Sequence, residues 1–263
     1  MAFSQLQQTA LVTGASSGIG LELARLLAAN HYNLILVARS ADKLGELAAD
    51  LRRAHKINAV AVPIDLADPA AAEELFHVLD EQRIFVDVLV NNAGFGTHGP
   101  FAQSDPAIEL QMLQVNIMAL THLTRLFLPN MIANGRGRIL NVASTAAFQP
   151  GPFMAGYYAS KAFVLSFSEA IAAELKGSGV TVTALCPGPT NTGFQERAGV
   201  AETPLFKANT MTSQEVARIG FEAMMKGKPL AIAGLKNRLL AFSTRLAPRG
   251  LVTSIARKLN SGR

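Results

Sequence analysis

Short apolar runs recur along this chain with a helix-length stretch between each and the next, and that alternation leaves few folds open. TALVT at 9–13, NLILVA at 33–38, AVAVPI at 59–64, DVLV at 87–90, GRILNVA at 137–143 and VTVTAL at 180–185 are nearly all continuous rather than alternating. Strands buried on both faces read this way, because every side chain meets a covering helix whichever face it takes. The intervening stretches near 41–55, 106–134, 156–175 and 211–225 carry helical spacing, and LAIA at 230–233 reads as a last short strand. The expected fold is α/β, a parallel sheet with helices on both faces. The 263 residues are enough for two small domains, but the unbroken alternation favours one doubly wound domain.

In such sheets ligands bind beyond the carboxyl ends of the strands. The turns expected there are GASSGIG at 14–20, Arg39-Ser40, Asp65-Leu66, NNAG at 91–94, Ser144 and the Pro187-Gly188 turn. A glycine turn opening a helix brings backbone N–H groups and the positive helix end against a pyrophosphate, with no Cβ in the way. Its GxxxGxG spacing is not the commonest dinucleotide fingerprint and also fits a plain tight turn. After the second strand stands Ala38, where an acidic side chain would hold a free ribose 2′-hydroxyl, and then Arg39. A guanidinium suits a 2′-phosphate, although an isolated arginine also simply opens a solvated turn.

Tyr157 and Lys161 lie one turn apart if the segment from about Gly156 is helical. A nearby ammonium favours phenolate, so such a tyrosine can serve as a general acid or base closer to neutrality. Spacing alone equally describes a surface pair.

The composition excludes several classes. A 49% hydrophobic, 16% charged chain folds compactly. The single Cys186 offers no internal disulfide, and no Cys/His spacing suggests a metal, so no metal and a reducing, cytoplasmic setting are expected. The N-terminus lacks the features of a signal peptide, and no apolar run reaches membrane-spanning length. Nine Lys or Arg and no acidic residue follow from Lys226 on, while the preceding 15 basic and 19 acidic residues sum to −4. A basic tail on a mildly acidic body is not a nucleic-acid-binding surface.

The motifs TGASSGIG at 13–20, NNAG at 91–94, Asn116 in VNIMAL, Ser144 in NVAS, YYASK at 157–161 and PGPTNT at 187–192 stand in the order seen in short-chain dehydrogenase/reductases, which the chain resembles from about residue 7 to 233. The resemblance implies one Rossmann-like domain, here 1–234, with a seven-stranded parallel sheet, and hydride transfer between a nicotinamide cofactor and a carbonyl or alcohol. It makes Tyr157 the acid/base, Ser144 the group that polarises the substrate oxygen, Lys161 the ribose holder that lowers the tyrosine pKa, and Asn116 part of a proton relay. Tyr158 and Thr145 are the competing side chains, and both depart from the family spacing. Gly14, Ser16, Ser17, Ile19 and Gly20 are expected on the pyrophosphate. Asp65 and Leu66 are expected on the adenine, Asn92, Ala93 and Gly94 on the adenosine side, and Pro187, Gly188, Thr190 and Thr192 around the nicotinamide. Arg39 points to NADP(H), although the second basic residue that NADP-preferring relatives often carry at the position of Ser17 is missing. A catalytically silent cofactor-binding scaffold is the alternative function.

A substrate lid is expected near 189–212, with Phe194, Leu205, Phe206 and Met211, and Phe95, Phe148, Phe153, Met154 and His98 are further pocket candidates. These residues favour an apolar ketone, aldehyde or 3-oxoacyl substrate. Homodimers or homotetramers are common in the family. The 235–263 extension reads as two basic amphipathic helices broken at Pro248 and Gly250, suited to docking on the body, on an anionic membrane as a peripheral contact, or on an acidic carrier protein.

Overall fold

The computed structural model describes residues 7–204 and 210–261. Strands β1 (Thr9–Thr13), β2 (Asn33–Ala38), β3 (Ala59–Pro63), β4 (Val88–Asn91), β5 (Gly137–Val142), β6 (Val180–Cys186) and β9 (Leu230–Ile232) form one sheet in the order β3-β2-β1-β4-β5-β6-β9. Every pairing in it is parallel. Strand order reverses between β1 and β4, which opens the ligand crevice at their carboxyl ends. A separate two-residue ladder joins β7 (Thr190–Asn191) to β8 (Met211–Thr212), and the short helix α7 (Phe194–Ala198) lies between them in the chain.

The central strands are fully buried because helices cover both faces. On one side α1 (Gly18–Ala29), α2 (Ala41–His55) and α8 (Ser213–Met225) pack Leu23, Leu27, Leu44 and Met224 against Val12, Leu36 and Leu185. On the other, α3 (Ala71–Glu81), α5 (Leu120–Ala133) and α6 (Ala155–Glu174) cover Leu11, Leu89 and Ile139. α8 starts at a capping box between Thr212 and Glu215. Asp68 accepts the Ala70 N–H at 2.9 Å in a turn just before α3.

A buried amide ladder ties α6 to the sheet. Asn91 Nδ2 donates to Asn141 Oδ1 at 2.9 Å and to Thr124 Oγ1 at 3.1 Å, and Asn141 Nδ2 donates to Ser168 Oγ at 2.9 Å. Since an unpaired amide here would cost the full desolvation penalty, these bonds fix how α6 sits over β4 and β5.

The helix expected over 106–134 is divided. α4 (Pro106–Leu113) and α5 flank a π-helical stretch, Gln114–Ala119, that carries Asn116. Such wide turns reposition a side chain that a regular helix would point elsewhere. The tail forms α9 (Leu235–Ser243) and α10 (Arg249–Asn260). Among the described residues no helix is long and apolar enough to cross a membrane.

Candidate active site

Thr13 ends β1 with its hydroxyl donating to Val90 O at 3.2 Å and accepting the N–H groups of Asn92 and Ala93, each at 3.0 Å. The Asn92 amide donates to Thr13 O at 2.9 Å and Gly14 O at 3.2 Å. Asn92 therefore locks the NNAG turn onto the glycine turn. Gly14 has φ +65°, and a Cβ on it would lie 2.7 Å from Asn92 Nδ2. At Gly20 a Cβ would meet the Asn92 amide and Gly14 O, so this residue packs the turn rather than facing the crevice. α1 then begins with no side-chain cap and no acidic residue in its first turn, leaving its N–H groups open to an anion.

A cleft of about 310 Å³ runs from this turn across the carboxyl edge of the sheet. Ser16, Ser17 and Ile19 line it at one end with Arg39, Asp65 and Leu66, followed by Ala93 and Gly94. Ser144, Tyr157, Lys161, Pro187, Gly188, Thr190 and Thr192 line the other end. The glycine cradle, the bare helix start and Arg39 fit a dinucleotide phosphate backbone. Among the described residues no cluster could hold a metal ion.

Tyr157 and Lys161 share the inner face of α6, as their spacing requires. Ser144, Thr145 and Tyr157 all line this end of the cleft, and Ser144 is the hydroxyl that acts on the Tyr157 phenol. Ser144 Oγ also accepts from Ala146 N at 3.1 Å and lies 3.5 Å from Pro187 O. Lys161 is 5% exposed, its ammonium donating to Val142 O at 2.8 Å and lying 5.8 Å from the Tyr157 ring centroid.

The structure reverses the expected direction for the tyrosine. Burial pushes the phenol up to about 12, outweighing the opposing influence of Ser144. Burial also draws Lys161 down to about 8, which weakens its hold on a neighbouring phenolate.

Asn116 does not line the cleft. Its Oδ1 accepts from Phe95 N at 3.1 Å, and its Nδ2 donates to Phe95 O and Ser160 Oγ, each at 3.0 Å. Ser160 Oγ donates to Tyr157 O at 2.7 Å, so Asn116 braces both the loop before the cleft and the helix turn that carries the tyrosine.

A family model described as short chain dehydrogenase matches residues 8–202. The chain belongs to the short-chain dehydrogenase/reductase family. It is 33% identical over 240 residues to a ketoacyl reductase of Nostoc sp., covering 91% of this chain and 82% of that one. It is 40% identical over 180 residues to a very-long-chain 3-oxoacyl-CoA reductase of Phaeosphaeria nodorum, which takes in 66% of this chain but only about half, 52%, of the fungal protein. A short-chain dehydrogenase from Sphingobium yanoikuyae solved with NADPH superposes with a TM-score of 0.82 at 32% identity, covering 93% of this chain and 94% of that one. Family membership makes the chain an oxidoreductase acting on the C=O/CH–OH pair.

The expected pocket residues divide three ways. Leu205 and Phe206 lie outside the described residues. Phe95, Met154 and Phe194 line the cleft, and the Phe194 ring is 5.2 Å from that of Tyr157. Phe148 packs into the core near Val164, and Met211 packs against the α1/α8 layer. His98 faces the tail instead of the substrate space, its Nε2 lying 2.8 Å from Asn260 O. Since a carbonyl only accepts, that nitrogen carries the ring proton. Tyr158 does line the cleft, but its hydroxyl donates to Asn260 Oδ1 at 3.2 Å.

Gln195 had no sequence signal. Its amide donates to Thr190 O at 2.7 Å and accepts from Thr192 N at 3.1 Å, clamping the strand after the Pro-Gly turn. Asn260 was equally silent, since nothing local marks a residue whose partners lie 102 and 162 positions away.

Proposed function

We propose that this protein is an NADP(H)-dependent reductase of an apolar ketone, aldehyde or 3-oxoacyl group. The observation that carries the reading is the gathering of Ser144, Tyr157 and Lys161 along one wall of a single cleft. Arg39 at the far end supports the phosphorylated cofactor, as does the NADPH bound in the Sphingobium relative. The two relatives named for ketoacyl and 3-oxoacyl-CoA reduction, with Phe95, Met154 and Phe194 on the cleft wall, support the substrate class.

A bound nicotinamide supplies the hydride that adds to the carbonyl carbon. Ser144 and Tyr157 meet the negative charge growing on the carbonyl oxygen with two preorganised hydroxyls, and the Tyr157 proton passes to that oxygen to give the alcohol. A phenol held up near 12 stays protonated at neutral pH and is ready to donate. Lys161 holds the ribose and favours the tyrosinate left behind. Asn116 is assigned to the return of the proton: a Cβ on Gly94 would lie 2.9 Å from Asn116 Oδ1 and 3.4 Å from Lys161 Nζ, so both groups flank one glycine. In the cofactor cleft Ser16, Ser17 and Ile19 take the pyrophosphate, Asp65 and Leu66 the adenine, and Pro187, Gly188, Thr190 and Thr192 the nicotinamide. Exposed Met118 and Phe163, beside Asn116 and on the Tyr157 helix, support self-association as a dimer or tetramer.

NADPH consumption measured across ketones, aldehydes and 3-oxoacyl thioesters tests the reading. Turnover lost in Tyr157→Phe and Ser144→Ala is the expected result. Tight NADPH binding with no turnover of any class would instead favour the silent scaffold.

A further inference from the structure

The tail docks on the body with only part of its apolar surface. Val252, Ala256 and Asn260, spaced four apart on α10, are buried, and Asn260 Nδ2 donates to Pro152 O at 3.0 Å. Beside that inner row, Leu251 and Ile255 stay exposed, and on α9 and the turn after it Leu239, Leu240, Phe242 and Leu246 do the same. These six range from 52% to 76% exposed. Folded proteins rarely leave so many large apolar side chains in one short segment to water without a use.

Charge narrows the occupant. Lys236, Arg238, Arg245, Arg249 and Lys258 are interspersed among these residues, and no Asp or Glu occurs from Lys226 to the end. A second copy docking through the same face would set cations against cations. An acidic protein would answer the charge but leave the leucine and phenylalanine rows uncovered. An anionic bilayer answers both, with headgroups for the cations and acyl chains for the apolar rows.

Position adds a reason for such a contact. Through Asn237, α9 sits against Gly188, where an added Cβ would lie 2.4 Å from the Asn237 amide, and through Asn260, α10 reaches Tyr158. Gly188 and Tyr158 both line the cleft. We propose that α9 and α10 form a peripheral docking surface for anionic lipid, which holds the mouth of the cleft at a membrane.

Cosedimentation of the full chain with phosphatidylglycerol–phosphatidylcholine vesicles and with pure phosphatidylcholine vesicles tests this. Partitioning onto the anionic vesicles should be about tenfold stronger and should weaken as salt is raised. The double variants Leu239→Glu/Phe242→Glu and Lys236→Glu/Arg238→Glu should each reduce it by about tenfold, with unchanged thermal melting because all four side chains are exposed. Equal partitioning on both vesicles, failure to sediment with either, or binding retained by both variants overturns the proposal. So does sedimentation velocity without lipid showing that Leu239→Glu/Phe242→Glu dissolves an oligomer of the parent chain. Vesicle binding is read without turnover, so its failure leaves the reductase reading untouched.

Discussion

Asn260, near the end of the chain, accepts a hydrogen bond from the hydroxyl of Tyr158, the residue next to the candidate acid/base. The same asparagine is 1% exposed and also meets His98 and Pro152, so one side chain and its carbonyl pin α10 to three segments around the cleft. Asn260→Ala should cost roughly 1–3 kcal/mol through the buried partners it strands. A lowered melting temperature and a reduced kcat/KM, with NADPH affinity nearly unchanged, is the expected pattern, since no cofactor-facing group is touched.

The two adjacent tyrosines should separate cleanly. Tyr157→Phe removes the proton donor and should lower kcat by about 10²–10⁴ while NADPH still binds. Tyr158→Phe should keep most of the turnover and instead loosen the tail, seen as faster amide exchange in α10. Equal losses in the two variants would count against the assignment of Tyr157.

Much of this was legible in the sequence, for reasons that differ by residue. The strands were plain because fully buried parallel strands must be apolar throughout. Tyr157, Lys161 and Ser144 could be found because their motifs sit at fixed distances along one helix or one strand end. Asn92 lines the cleft where a cofactor contact was expected, but that its amide also ties the glycine turn, a partner 78 positions away, had no sequence signal. The π-helical stretch at Asn116 was hidden because its composition is that of the helices around it. His98 and Asn260 could not be paired, since neither carries a periodic or turn signal and only the folded tail brings them together.

Cofactor preference should rest on Arg39. Arg39→Asp should weaken NADPH by about 10–100-fold, the scale of a lost charge-assisted bond, and improve NADH, as read from KM for each cofactor. An unchanged preference for NADPH would remove the basis for assigning the phosphorylated form.

Lys161 sets a pH limit on the free protein. Its ammonium is present below about 8 and is lost as pH rises through that value, well before an exposed lysine would titrate. NADPH affinity followed by fluorescence should therefore fall on raising pH through about 8. Lys161→Met should bind weakly at every pH and lack the step; a step that survived would belong to another group.

Crowding in the glycine turn gives a structural counterpart. Gly20→Ala places a Cβ against both the Asn92 amide and the backbone of Gly14, and helix α1 cannot shift without disturbing the Leu23 and Leu27 packing. A loss of about 1–3 kcal/mol, measured by urea denaturation, should accompany weaker NADPH binding.

The lone thiol of Cys186 closes β6 fully buried, and desolvation holds it up to about 12. A thiol so protonated and so enclosed is inert to disulfide reagents while the sheet is intact. The chain thus carries its own unfolding clock: the rate at which an aromatic disulfide colours the solution measures how often the end of β6, directly behind the site, opens to solvent.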